Sequence, residues 1–501
     1  MTIRLPRIIV AGLSGDSGKT AVSLSVLRAL KNRGLTVATF KKGPDYIDSA
    51  WLSAVGGSPC RNLDTYMVHR SKVRDRFFAT ANSSNVALVE GNRGVYDGKD
   101  AVGTHSTAEL AKLLDTPVIL VVNVTKTTRT VAALVDGCIR FDQDVKFAGV
   151  ILNKVAGERH KSILTASIEK YCGIPVLGAL PKLGADAALI PGRHLGLVTP
   201  SEFVDNDKLG DKLTRIADSY LDVDAILDIA NSAPGVEIES SDKTSPVNSH
   251  VTIGCFKDSV FTFYYPENLE ALRAAGGELV EISSLEDKSL PNIDGLYIGG
   301  GFPETHADRL SNNQSLMNSV KMYVEEGLPV YAECGGLIYL CRSLRWNDNV
   351  YPMAGVFDLN LEIMKKPAGH GYTLCEIDGE SVFYEAGEEV KGHEFHYSCP
   401  VEGSTIPPTC ADVKTGVGAG ARRDGLVYKS VFASYMHIHA DGNPKWAGAF
   451  VKAASAYRSR IVSDTASSNG AAESDGLAGG SEDSNDSGLG KEAAGISLSP
   501  C

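Results

Sequence analysis

The chain has 501 residues, 43% of them hydrophobic and 22% charged, with a formal charge of −12. That is the composition of a globular protein with real cores, long enough for roughly two to four domains. It excludes a basic nucleic-acid-binding surface, a membrane span (no apolar run approaches the length one needs), and a disulfide or zinc-stapled scaffold, since the ten cysteines contain no CxxC pair.

The apolar N-terminal run leads straight into a glycine loop without a small-residue cleavage site, so no signal peptide is expected. Sparse cysteines favour a reducing, cytoplasmic setting. Residues Arg4–Ala11 read as a buried strand, Ala21–Asn32 as a helix and Gly34–Phe40 as a second strand. Val86–Val89, Pro117–Val122, Phe147–Leu152 and Pro175–Leu177 continue the series, with helical patterns between them. Strands alternating with helices imply a mostly parallel sheet covered on both faces. The pattern fades after Leu227, and the Ser-, Asp-, Pro- and Gly-rich stretch 231–249 reads as a linker. Alternation restarts at Val251–Cys255 and continues through Leu269–Ala275, Glu278–Ile282, Gly295–Ile298 and Pro329–Tyr331. The expected organisation is therefore α/β in two domains, 1–230 and 250–457, followed by a disordered Gly/Ser-rich tail, 458–501.

Two loops carry the chemistry. The first, AGLSGDSGKT at Ala11–Thr20, lies between a strand and a helix, where backbone N–H groups converge on anions. Gly15, Ser17, Gly18, Lys19 and Thr20 form the expected nucleotide-binding set, with Lys19 reaching the terminal phosphates and the Thr20 hydroxyl binding magnesium. The loop is one residue longer than the usual pattern: Leu13 stands where the first glycine belongs, and Gly12 precedes it. Magnesium needs hard oxygen ligands. Glu90 ends the apolar run Val86–Val89, and a charge at a buried strand end needs a partner. Asp45 and Asp48 in KKGPDYID, with Asp64 and Asp97 beside turns, supply further carboxylates at the rim of the sheet. Lys41 and Lys42 are candidates for an anionic substrate or the transferred phosphate. Each of these residues would otherwise be a solvated surface group.

The second loop is LPVYAECGG, Leu328–Gly336, in which a strand runs into Cys334 and two glycines permit a tight bend. A cysteine at such an elbow is a nucleophile, with the helix N-terminus expected to favour its thiolate. Backbone N–H groups there, with Gly299–Gly301 opposite, would hold an oxyanion. Its base is a histidine among His393, His396, His437 and His439, and no acid stands out as the group that orients it. The aromatic cluster Phe261, Phe263, Tyr264 and Tyr265 reads as core packing, or alternatively as lining for the contact between domains. Together the loops suggest that glutamine hydrolysis at one site supplies ammonia to a carboxylate activated by ATP at the other.

Along nearly its whole length, from Arg7 to Trp446, the chain resembles the cobyrinic acid a,c-diamide synthase family. The resemblance is carried in order by GLSGDSGKT, FKKGPDYID, RNLDTYM, VEGNRGVYDG, GVILNKVAGERH, PGRHLGL, FTFYYPENLE, LYIGGGFPE, YAECGG, GHEFHYS and SYMHIH. It implies a dethiobiotin-synthetase-like P-loop domain, a class I glutamine-amidotransferase-like domain, and ATP-, magnesium- and glutamine-dependent amidation of the a and c acetates of an anionic tetrapyrrole. A homodimer is compatible with it. By this resemblance Cys334 is the nucleophile and His437 its base. Lys19 and Thr20 serve the phosphates, and Thr20, Asp48 and Glu90 the metal. Lys41, Asp45, Asp48, Asp64 and Asp97 serve the substrate. Where typical class I enzymes carry a glutamate, two residues past the histidine, this chain has His439. Asp16–Ser17, Gly192 and Asn123 stand where Gly–Val, glutamate and aspartate are common. Nickel-sirohydrochlorin and hydrogenobyrinic acid a,c-diamide synthases are alternatives within the same chemistry. A P-loop ATPase with a non-catalytic partner-binding half is the alternative of another class, and Cys334 in its elbow speaks against it.

Overall fold

The computed structural model describes residues 2–182, 189–192, 197–203, 205–237 and 250–474. Residues 1–457 form one unit containing two α/β halves. In the first half, seven strands lie in the order Arg61–Leu63, Val37–Lys42, Val86–Glu90, Arg7–Gly12, Val118–Asn123, Phe147–Val155, Val176–Pro181, with every neighbouring pair parallel. Strands covered on both faces are apolar throughout rather than alternating, and Arg7–Gly12, Val37–Lys42 and Val86–Glu90 are buried at every position. The edge strand Arg61–Leu63 has no apolar run to announce it; it is held by pairing Lys41 with Asn62 and Phe40 with Arg61. The phosphate loop, the loop after Lys42 and Glu90 all leave the same carboxyl edge, where the strand order reverses direction and ligands of open α/β sheets collect.

This half extends past its expected end at 230. Helices Asn206–Tyr220 and Val223–Asn231 are followed by a strand, Val236–Glu237, antiparallel to Thr2–Ile3. The rest of the expected linker, 238–249, and residues 193–196 of the PGRHLGL segment lie outside the described residues.

The second half is built on ten strands in the order Gly277–Ile282, Val251–Phe256, Gly295–Ile298, Val330–Glu333, Val431–Ser434, Arg423–Tyr428, Thr409–Thr415, Gly369–Ile377, Glu389–His396, His437–Ile438. The first five pair in parallel and the remainder antiparallel. Ser434 lies mid-sheet beside Glu333, yet His437, three residues on, pairs with His393 on the far strand. The sheet therefore curls back toward its own centre, and this brings His437 beside Gly300 and Glu333, the residue before Cys334. The compact unit ends at the expected boundary, Tyr457, and the helix that opens at Trp446 continues past it to Ser474. The rest of the expected tail, from 475, lies outside the described residues. No helix among the described residues is long and apolar enough to cross a membrane.

The two halves meet through aromatic and ionic contacts. Tyr46 of the first half stacks on Phe263 (4.9 Å) and Tyr265 (4.5 Å) of the second, and Tyr66 stacks on Tyr372 (4.3 Å). Of the aromatic cluster, Phe263 and Tyr265 thus line the contact between domains, while Phe261 packs in the core of the second half. Arg61 binds Glu267 and Glu270, and Arg76 makes two hydrogen bonds to Asp441.

Candidate active site

The first centre grows from the bend after Arg7–Gly12. Gly18 adopts a left-handed conformation (φ 97°) and packs so closely on Asn153 that a Cβ would fall 2.1 Å from its Nδ2. A side chain at Gly12 would meet Ser17 Oγ at 2.3 Å and Lys19 Nζ at 2.9 Å. These two glycines let the loop wrap tightly, whereas Gly15 faces open space at its tip. The Ser17 hydroxyl is buried without a hydrogen-bond partner. Lys19 donates to the carbonyls of Ser14 (3.3 Å) and Arg93 (2.8 Å), which hold its ammonium across the mouth of the loop. Burial and the neighbouring Lys41 lower its pKa, so the site favours an incoming anion.

Beside it stands a charged cluster. The Thr20 hydroxyl donates to Glu90 (2.8 Å), and Lys41 Nζ donates to Asp48 (2.6 Å), Glu90 (2.9 Å) and the Gly91 carbonyl (3.2 Å). Burial opposes the Lys41 charge, but Asp48 and Glu90 outweigh it and raise its pKa well above the ordinary value. Burial and Asp48 push Asp45 up to about 7. Asp45 also caps the helix Tyr46–Gly56 by accepting from the Asp48 N–H (2.9 Å).

No three His, Cys, Asp or Glu side chains among the described residues form a preformed metal cage. Thr20 and Glu90, whose Oε2 is buried and free of hydrogen bonds, nevertheless present hard oxygens at the phosphate loop. That open arrangement suits magnesium, which keeps waters and phosphate oxygens among its ligands. Asp48 is engaged by Lys41 and would share that lysine with the metal.

Two predicted acids lie apart from the cluster. Asp64 accepts from the N–H groups of Tyr66 (2.8 Å) and Met67 (2.9 Å) and from the Tyr372 hydroxyl (2.7 Å), so it is a turn cap and an inter-domain contact. Asp97 is exposed and accepts from Gly94 N–H (2.8 Å), in the segment whose Val95 N–H bonds the Gly12 carbonyl.

The second centre is Cys334. It sits at φ 46°, ψ −92°, a conformation side chains rarely adopt, between the strand Val330–Glu333 and the short helix Gly335–Leu340. Its N–H is tied to the Ser434 carbonyl (2.7 Å). Gly335 packs against the Gly300–Gly301 backbone, and a Cβ on Gly300 would meet His437 Cε1 at 2.4 Å and Nε2 at 3.3 Å. The glycine strand therefore touches both the residue after the nucleophile and the outer edge of the histidine. The expected thiolate does not form at rest. Burial, then Glu304 and Glu333, push the Cys334 thiol well up, because six helical residues cannot offset the loss of water and two nearby carboxylates. A base must take the proton.

His437 presents Nδ1 to Glu333 Oε2 at 3.5 Å, with both groups buried. Glu333 also accepts from the Tyr297 hydroxyl (3.2 Å) and the Ile438 N–H (3.3 Å). The carboxylate that faces His437 thus belongs to the residue directly before Cys334. Of the other histidines, His393 stacks on His437 (4.9 Å), and burial followed by His437 drives its pKa well down. His396 Nδ1 bonds the Ser398 carbonyl (2.8 Å) and its ring stacks on Tyr435. His439 faces Glu267 (3.6 Å).

Two family models match the chain: a CobQ/CobB/MinD/ParA nucleotide binding domain over residues 8–193 and a CobB/CobQ-like glutamine amidotransferase domain over residues 252–445. Cobyrinate a,c-diamide synthase of Magnetococcus marinus is 40% identical over 453 residues, covering 89% of this chain and 97% of the relative. That of Archaeoglobus fulgidus is 39% identical over 90% of this chain and 98% of its own, and that of Caldanaerobacter subterraneus 40% identical over 86% and 94%. The chain belongs to the cobyrinate a,c-diamide synthase family. It is a glutamine-hydrolysing, ATP-dependent ligase.

Within this family frame, three residues that motif reading did not single out stand at the centres. Glu333 bears on His437, and Asn153 holds the phosphate loop through Ser17 O (2.9 Å). Tyr46 places its ring 5.3 Å from that of His437 while its helix carries Asp48. Glu333 was open to discovery by the signal that marked Glu90, a carboxylate closing a buried strand. Asn153 and Tyr46 carry no such local mark.

Proposed function

We propose that the chain converts the a and c acetate carboxylates of cobyrinic acid to amides, drawing ammonia from glutamine. The observation that carries this reading is the pairing of Lys41 with Asp48 and Glu90 directly beside the Lys19 loop, a place where a carboxylate and a phosphate must meet. The names of the relatives supply the substrate.

At the glutaminase centre, His437 takes the Cys334 proton as Sγ attacks the glutamine carboxamide carbon. The backbone N–H groups of Gly335 and Gly301 hold the oxyanion. The same proton passes to the leaving nitrogen, and ammonia departs; water then attacks the thioester and releases glutamate and the free thiol. Glu333 steadies the histidine as it becomes charged. At the synthetase centre, the substrate carboxylate oxygen attacks the terminal phosphorus of ATP and ADP leaves. Ammonia then displaces phosphate from the acyl phosphate, forming the amide. Lys19 and Lys41 offset charge on the phosphate and the carboxylate. Thr20 and Glu90 with Asp48 would hold magnesium, which would supply charge neutralisation on the phosphates. Tyr46, in contact with His437 and joined to the Asp48 helix, marks where ammonia crosses between the halves.

The test is a substrate panel of cobyrinic acid, its metal-free analogue hydrogenobyrinic acid, and nickel-sirohydrochlorin. Each is incubated with ATP, magnesium and either glutamine or ammonia, and scored by mass for mono- and diamide. Cobyrinic acid is expected to give the diamide with both nitrogen sources. Diamide from nickel-sirohydrochlorin alone would reassign the substrate, and no amide from any of them would reject the reading.

A further inference from the structure

The strand that presents His437 is fastened by the helix Pro266–Ala274, which a residue of the other half grips in turn. His437, Ile438 and His439 run directly into a turn, and the side chain of Asn268 clamps it on both sides. Asn268 Nδ2 donates to the Ile438 carbonyl (2.9 Å), and its Oδ1 accepts from the Ala440 N–H (2.7 Å). Asn268 belongs to the first turn of the helix Pro266–Ala274, next to Glu267. Glu267 Oε2 lies 3.6 Å from His439 Nε2, and its Oε1 accepts from Arg61 Nη1 (2.9 Å). Arg61 also forks onto Glu270 at 2.6 and 3.1 Å. Arg61 belongs to the ATP-binding half. Its chain neighbour Asn62 donates to the carbonyls of Gly43 (2.8 Å) and Asp45 (2.9 Å), the loop that leads to Asp48. A chain of contacts therefore runs from the substrate loop, through the three-residue strand Arg61–Leu63, to the helix Pro266–Ala274, whose Asn268 holds the backbone on either side of His439.

A second observation shows that this chain has slack in one place. His437 Nδ1 stands 3.5 Å from Glu333 and His439 Nε2 stands 3.6 Å from Glu267, and neither nitrogen has an aligned hydrogen bond although both are buried. A buried polar atom left unpaired costs about 1–3 kcal/mol. His439 Nδ1 accepts from the Asp441 N–H (3.2 Å), so in the neutral ring the proton sits on Nε2, facing Glu267. His437 lies on the short strand His437–Ile438 and His439 directly follows it, and both are a few tenths of an ångström short of their carboxylates. Catalytic hydrogen bonds that are long in the empty enzyme commonly tighten when the complex forms.

We propose that Arg61 is a positioning residue for the glutaminase: through Glu267 and His439 it sets the strand bearing His437, and through Asn62 it makes that setting depend on the loop 43–48 of the synthetase site. Glutamine hydrolysis is then slow in the empty enzyme and quickens when ATP and the carboxylate substrate order the loop, which prevents release of ammonia with nothing to receive it. The inference rests on the reading above that the first half performs the amidation.

The experiment measures glutamate release with and without ATP plus cobyrinic acid, and amide formation with ammonia, for wild type, Arg61→Ala, Arg61→Lys, His439→Gln and the double variant Arg61→Ala/His439→Gln. Arg61→Ala is expected to lower kcat for glutamine hydrolysis about tenfold or more, with KM for glutamine changed less than about threefold, and to erase stimulation by ATP and substrate. Ammonia-supported synthesis should stay within about twofold of wild type. The losses at Arg61 and His439 should not multiply in the double variant, because the two act along one line. Arg61→Lys keeps the charge but cannot fork onto Glu270; it should retain part of the hydrolysis rate, and it carries the test if the alanine variant fails to fold. Unchanged kcat and stimulation, parallel loss with ammonia, or multiplicative losses would each overturn the proposal. Failure of wild type itself to make amide from ammonia would instead reject the synthetase reading.

Discussion

The two strand-end bends solve opposite problems. After Arg7–Gly12 the chain turns through a glycine, Gly18 at φ 97°, into a fourteen-residue helix, and the side chains around the turn are a cluster of basic and acidic groups in contact: Lys19, Lys41, Glu90 and Asp48. After Val330–Glu333 it turns at Cys334 itself, at φ 46°, into six helical residues, and the thiol is neutral at rest. A phosphate has several oxygens to satisfy, so the first bend gives up side chains to let N–H groups converge. A nucleophile must itself stand at the apex, so the second keeps its side chain and carries strain of about 1–3 kcal/mol. The first site holds a lysine whose charge its carboxylate neighbours support, whereas burial keeps the thiol of the second site protonated.

The sharpest way to break this comparison is Cys334→Ser. Glutamine-supported synthesis is expected to vanish while ammonia-supported synthesis persists; product measured with each nitrogen source decides it, and equal loss with both would merge the two sites. Lys19→Ala should lower both routes together by about 100- to 1000-fold, since it removes charge support at the transferred phosphate. Steady-state kcat with ammonia in place of glutamine checks this. Glu333→Gln should reduce glutaminase kcat about 10- to 100-fold and leave ammonia-supported synthesis intact, because only the orientation and charge support of His437 change. A loss confined to KM would contradict that role.

A smaller effect concerns the joint between the halves. Burial opposes the Glu267 charge, but His439 and Arg61 outweigh it and hold its pKa down at about 2. A depressed carboxylate contributes stability that is complete above its unfolded pKa and fades as pH falls through its folded value. Between about pH 4.5 and 2 the protein should therefore lose roughly 3 kcal/mol from this group, and Glu267→Gln should flatten that limb of a pH–stability curve measured by denaturant unfolding. The smallest expected change is Tyr372→Phe, which removes the hydroxyl that donates to Asp64 across the joint and should cost about 1 kcal/mol. Midpoints in urea for the two proteins would show it.

Much of this was legible in the chain. Parallel strands buried on both faces leave apolar runs that ended in glycine loops at Gly12 and Cys334, so both bends and the α/β class could be read directly. Glu90 was found because a charge closing a buried strand needs a partner, and it has Thr20 and Lys41. The same rule applied to Glu333 would have supplied the missing acid; attention to the position two past His437 hid it, and His439 there turns to Glu267 instead. Arg61–Leu63 left no trace because a three-residue edge strand with two polar positions has no period to detect.

The sequence by itself determined the two bends and the residues that stand at them, Cys334 and Lys19, since each depends on residues within a few positions of one another and on the local geometry of a strand entering a turn. Only the tertiary structure decided that His437 lies beside Gly300 and Glu333, that Tyr46 of one half reaches its ring, and that Arg61 reaches Glu267 next to His439. Those choices depend on a ten-stranded sheet curling until its last strand returns to its middle. Closure of that kind is set by packing over the whole domain, and no short stretch of residues encodes it.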